Sequence, residues 1–189
     1  MQIPEAPEEA SKFARVRDGF QRLWTPHRMA YIRGEGKPTA RPSRGRNDIP
    51  TCPFCSAPGG SDAEGLIVHR GETCYVVLNL FPYNPGHLLI CPYRHVPRYL
   101  DLTDEETLEF TALTKDAIRA LEAASNPMGF NLGMNQGAVA GAGVEAHLHQ
   151  HVVPRWGGDM NFLPIIGQTK ALPVLLEDTR TELREAWPR

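Results

Sequence analysis

Three of the seven histidines fall within one run of five residues, His147-Leu148-His149-Gln150-His151, which continues into Val152 and Val153. Alternation with a period of two is the pattern of an extended strand, whose successive side chains point to opposite faces. A strand over His147–Val153 therefore presents three imidazoles on one face, about 7 Å apart along the chain. Leu148 and Gln150 point the other way. Core histidines do not come in ladders, so the trio predicts chemistry. Neutral imidazole is a common metal ligand, and aligned imidazoles can also act as nucleophile and as acid or base on a phosphate.

The residues upstream favour phosphate. Asn135-Gln136-Gly137 and Ala140-Gly141-Ala142-Gly143-Val144 form a loop of small residues entering the ladder. Glycine lets backbone N–H groups approach an anion closely, as in phosphate-cradling nests. Further back, β-branched and aromatic runs between Gly, Pro and Asn breaks predict strands at Gly65–His69, Cys74–Asn79 and Gly86–Cys91. Thr103 and Glu106 form a capping-box signature. It opens a helix with Phe110, Leu113, Ala117 and Leu121 on one face, stopped by Asn126-Pro127. A strand at Gly129–Asn135 precedes the ladder, and a last helix is predicted from about Lys170 to Ala186. Short connections between the first strands indicate an α+β fold with an antiparallel sheet of about five strands, a long helix and a C-terminal helix.

Length and charge narrow the function. At 189 residues and a net charge of −2 the chain suits one ordinary domain and lacks the basic excess of a dedicated nucleic-acid binder. No apolar run is long enough for a membrane span, and the acidic, Pro-rich start MQIPEAPEEA is unlike a secretory signal. Both point to the cytoplasm, where cysteines stay reduced. Residues 1–50 predict an N-terminal arm, with Leu23–Ile32 docking on its own or a neighbouring subunit, and a Gly-, Pro- and Arg-rich tether from residue 33. Residues 51–189 form the main domain. Cys52-Pro53-Phe54-Cys55, taken alone, is a redox pair, half of a zinc site or a coincidence of spacing. A redox motif of this form opens a helix in a βαβ setting, which is missing here, and a closed zinc site needs two further ligands; His95 and His147 are candidates. Cys74, Cys91, His69 and His87 read as structural positions, and His27 has no readable role.

The run His147–Val153 resembles the His-x-His-x-His-x-x signature of the histidine triad (HIT) superfamily of nucleotide hydrolases and transferases. The resemblance extends through Asn79–Pro92, Met134–Gly137 and Pro154–Asp159. The stretch His151–Phe162 followed by an apolar helix is similar to the bacterial branch that contains diadenosine tetraphosphate phosphorylases. The resemblance implies that His149 attacks the α-phosphorus of a nucleotide while its other ring nitrogen donates to the backbone carbonyl of His147. His151 would bind the phosphate or protonate the leaving group. Asn135 and the N–H groups near Gly143 and Val144 would stabilise the nonbridging oxygens, and Asn79 would bind ribose or serve as a turn residue. Many members have Ser or Thr where Val144 stands. The resemblance also implies structural zinc on Cys52, Cys55, His95 and His147, and a homodimer, or a larger assembly, whose sheets join across a two-fold axis.

The leading expectation is an enzyme that cleaves a phosphoanhydride bond of a dinucleoside polyphosphate by phosphorolysis or hydrolysis. The alternatives are a nucleoside phosphoramidate hydrolase with the same nucleophile and a nucleotide-binding adaptor without turnover.

Overall fold

A computed structural model describes residues 52–159 and 173–188. The expectations for the N-terminal arm, the tether and the start of the last helix at Lys170 fall outside the described residues. Five strands, β1 (Ile67–Arg70), β2 (Cys74–Leu78), β3 (Leu88–Pro92), β4 (Gly129–Gly133) and β5 (Gln150–Arg155), form one sheet in the order β1-β2-β3-β5-β4. Every neighbouring pair is antiparallel. The long helix α1 (Asp104–Ser125) lies between β3 and β4 in the chain, and α2 (Leu176–Glu185) closes it. The α+β expectation is borne out.

Alternation decides what each face of the sheet carries. On one face Val76, Leu78, Leu88, Ile90 and Val152 pack against Phe110, Leu113, Ala117, Ala120 and Leu121 of α1. On the other, Tyr75, Val77, Leu89 and Cys91 pack with Phe54, Leu66 and Tyr93. Central strands β2 and β3 are thus buried on both sides. Cys74 and Cys91 are core residues, as expected. His69 is structural, as expected: its ring stacks on Trp187 at 4.8 Å.

Helix α1 starts where its capping box says it should. The Thr103 side chain accepts from the Glu106 N–H, and the Glu106 carboxylate accepts from the Thr103 N–H at 2.7 Å. That carboxylate also pairs with Arg94 at 2.6 Å through two bonds, tying the segment that carries His95 to the helix start. Asn126 ends the helix in the left-handed region at φ 46°. Gly86 is required by close approach: at φ +78°, an added Cβ would lie 2.9 Å from Leu121 on α1.

Three boundaries differ from expectation. Strand β4 stops at Gly133, two residues before Asn135. Helix α2 starts at Leu176, with Leu175 still extended and exposed although it falls inside the predicted helix. Most consequentially, β5 begins at Gln150. His147, Leu148 and His149 precede the ladder, and the Leu148 N–H bonds the Val96 carbonyl at 2.7 Å instead of a neighbouring strand.

Candidate active site

The three histidines of the run are brought together but do not form a uniform row. His147 is buried, with its ring turned toward Cys52, Cys55 and His95. Its Nδ1 lies 3.4 Å from each cysteine Sγ, and its Nε2 donates to the Pro92 carbonyl at 2.9 Å. The His147 backbone carbonyl accepts a 2.8 Å hydrogen bond from His149 Nδ1. With Nδ1 as donor, the free lone pair of His149 lies on Nε2. The His149 and His151 rings are edge to face, with centroids 5.1 Å apart. Leu148 packs in the helix-side core, and Gln150 donates to Thr114 of α1 at 3.0 Å. Both point away from the imidazoles, as the period of two requires.

A chain of hydrogen bonds fixes the tautomer of His151. The Tyr83 N–H donates to His87 Nδ1 at 3.0 Å. His87 therefore carries its proton on Nε2, which lies 2.9 Å from His151 Nδ1. His151 Nδ1 must then accept, so its own proton sits on Nε2. Burial, reinforced by the neighbouring His149, pushes His151 down to about 4, so the ring is neutral at pH 7. The sequence reading of His87 as structural is incomplete: it is fully buried and also bonds His151. Phe54, one of the two interior residues of the Cys-x2-Cys knuckle, was missed as well. Its ring packs on His149 at 4.8 Å and its carbonyl accepts from Tyr75 Oη at 2.6 Å.

His149 and His151 face a cavity of about 630 Å³. Asn79, Asn135, Gly143 and Val144 all line it, as does Phe54. The Asn79 carbonyl oxygen also accepts from the Phe81 N–H at 2.9 Å, so this residue makes a turn and faces the cavity at once. In the loop before the histidines, Gly137 and Gly141 both adopt φ +85°.

The ligating atoms of Cys52, Cys55, His95 and His147 all lie within 4.8 Å of one another. Cys55 Sγ is 3.2 Å from His95 Nδ1. A tetrahedral zinc site with bonds of 2.0–2.3 Å has edges of about 3.6 Å, so these separations and this donor set fit the ion. Burial, then a bond to Cys52 and its charge, raise the Cys55 thiol; a dication would offset that repulsion. The bond from His147 to Pro92 leaves Nδ1 as the ligating nitrogen, a common arrangement behind metal-bound histidine.

The described residues form a five-stranded α+β domain whose paired imidazoles border a cavity beside a Cys2His2 cluster. The chain belongs to the HIT family: the HIT domain model matches residues 61–158. It is 51% identical over 173 residues to the AP-4-A phosphorylase of Mycobacterium tuberculosis, covering 92% of this chain and 87% of that protein. A bis(5'-nucleosyl)-tetraphosphatase of Schizosaccharomyces pombe is 32% identical over 108 residues, 57% of each chain. Among solved structures, a Zn-bound histidine triad protein from Mycobacterium smegmatis superposes with a TM-score of 0.59 at 27% identity. The match covers 72% of this chain and 92% of that one.

Proposed function

We propose that this protein cleaves dinucleoside polyphosphates of the diadenosine tetraphosphate type through a nucleotidyl-His149 intermediate, with inorganic phosphate as the second acceptor. The observation that carries the reading is the His149–His147 carbonyl bond, which leaves Nε2 with a lone pair toward the cavity. In the first step His149 Nε2 bonds to the α-phosphorus and the bond to the bridging oxygen breaks. The departing oxygen takes the proton from His151 Nε2. Asn135 and the backbone near Gly143 and Val144 stabilise the nonbridging oxygens. The acceptor then gives its proton to His151 and attacks the same phosphorus, releasing His149. Covalent catalysis thus divides one displacement into two easier ones. Similarity to a phosphorylase over most of both chains supports phosphate over water.

Cys52, Cys55, His95 and His147 would hold zinc, which supplies structural rigidity next to His149 and takes no part in the bond changes. The reading extends to a homodimer joined across β4, an edge strand with Leu132 half exposed, and to the reducing cytoplasm, where the free thiols of all four cysteines persist.

Product analysis tests the reaction. With phosphate, the tetraphosphate should give ADP plus ATP; AMP plus ATP would replace phosphorolysis by hydrolysis. Mass spectrometry of the quenched reaction should find AMP on His149, and His149→Ala should lose turnover by at least about 10³-fold. An adduct on another residue would refute the mechanism.

A further inference from the structure

A second cavity, of about 380 Å³, shares His151 with the larger one. Tyr83, Asn135 and His151 line both, whereas His149 lines only the larger. The period of two in β5 continues from His151 through Val153 to Arg155, and the β4 register sets Asn131 opposite Val153 and Gly133 opposite His151. This face of the β4–β5 pair is the floor of the second cavity.

Arg155 is held at its far end by three bonds. Nε and one Nη bind the two oxygens of Asp159 at 2.6 and 2.9 Å, and the other Nη binds the Asn131 side-chain oxygen at 2.8 Å. Asn84 braces Asp159 at 2.7 Å. A guanidinium has five N–H groups, so one remains on each Nη, and the side chain is 39% exposed. Arg155 lies four residues beyond His151, about 13 Å along the strand, and its guanidinium bonds Asn131, which stands opposite Val153. A polyphosphate chain crosses that span. A small leaving group does not.

We propose that the second cavity is a leaving-group subsite for the polyphosphate arm of the departing nucleotide, with Arg155 and Asn131 as its ligands. The inference rests on attack by His149 at the α-phosphorus. In-line displacement puts the departing oxygen opposite His149 Nε2, and His151 stands on the wall between the cavities with a proton to give. The transferred nucleotidyl group stays in the larger cavity while the departing nucleoside polyphosphate lies along β5 toward Arg155. Planar, paired donors suit phosphate oxygens. The subsite selects substrates whose leaving group carries several phosphates.

The test compares diadenosine tetraphosphate with the p-nitrophenyl ester of AMP, whose leaving group has no phosphate, using rapid-quench measurement of the His149 adduct. Arg155→Gln and Asn131→Asp should each cut adduct formation from the tetraphosphate by about tenfold or more, with ester values within about twofold of wild type. Asn131→Asp spares the Asp159 pair and guards against a folding defect in the first variant. Equal loss on both substrates would reduce Arg155 to a brace and overturn the proposal. So would a loss confined to the phosphate dependence of adduct breakdown, since the cavity would then take the acceptor. Absence of any His149 adduct in the wild type would instead overturn the underlying mechanism.

Discussion

In the proposed mechanism, replacing His87 should separate proton donation by His151 from attack by His149. His87→Leu keeps an apolar group of similar bulk and removes the donor that holds His151 Nδ1 at 2.9 Å. Leaving a buried acceptor without its donor costs about 1–3 kcal/mol, and His151 can escape that cost by moving its own proton to Nδ1. Its Nε2 then has no proton for the leaving oxygen. Losing a group that orients a site residue typically lowers activity about 10- to 100-fold. The expected outcome is a fall of that size in adduct formation from diadenosine tetraphosphate. A p-nitrophenyl leaving group needs no acid, so adduct formation from the AMP ester should fall less than about threefold, because His149 and its bond to His147 are untouched. His87→Gln should recover part of the loss, since its amide can accept from Tyr83 and donate to His151. Rapid-quench kinetics with both substrates decides the matter. Equal losses for the two leaving groups, or none, would refute the tautomer argument.

Other perturbations probe the frame. His151 is pushed down to about 4 in the folded protein, so the unfolded chain takes up the proton first as pH falls below about 6.5. That difference removes at most about 3 kcal/mol of stability by pH 4; urea titrations across this range should show a gentler fall for His151→Asn than for wild type. Cys52→Ser should abolish bound zinc, read by mass spectrometry of the native protein, and lower the melting temperature by about 5 °C or more. Glu109 accepts from the N–H groups of Glu72, Thr73 and Cys74 at 2.6–2.8 Å, joining the β1–β2 turn to α1. Glu109→Ala should therefore cost about 2–3 kcal/mol in chemical denaturation. Gln150→Val faces α1, away from the cleft, and should leave turnover unchanged and stability within about 1 kcal/mol.

Local signals carried much of this architecture. The Thr103–Glu106 spacing located the start of α1 because a capping box is satisfied within one turn of chain. The Cys-x2-Cys knuckle and the histidine run announced themselves through rare residues at fixed spacing. What the sequence hid depends on non-local pairing. Nothing near residue 87 reveals that β3 lies beside β5, with Leu88 opposite Val152, and only that adjacency sets His87 against His151. Arg155 and Asn131 meet across a second such pairing. The start of β5 was misjudged for a related reason. Alternation describes any extended segment, and it cannot tell a ladder from a stretch whose amide bonds a loop, as Leu148 does with Val96.

The late start of β5 is what allows one residue to serve two centres. Inside a ladder the His147 carbonyl would be committed to a neighbouring strand. Outside it, that carbonyl accepts from His149 Nδ1 while the ring of the same residue joins the cysteines. Phe54, held between Cys52 and Cys55 in the chain, packs on His149 from the side of the same cluster. Two restraints on His149 thus originate at the Cys2His2 cluster, one through a hydrogen bond and one through ring contact. Neither reaches His151, which is oriented from Tyr83 through His87. In the proposed mechanism, nucleophile and acid are therefore positioned by separate parts of the fold. Damage at the knuckle should weaken attack by His149 whatever the leaving group, whereas damage at His87 should appear only where the leaving group needs a proton.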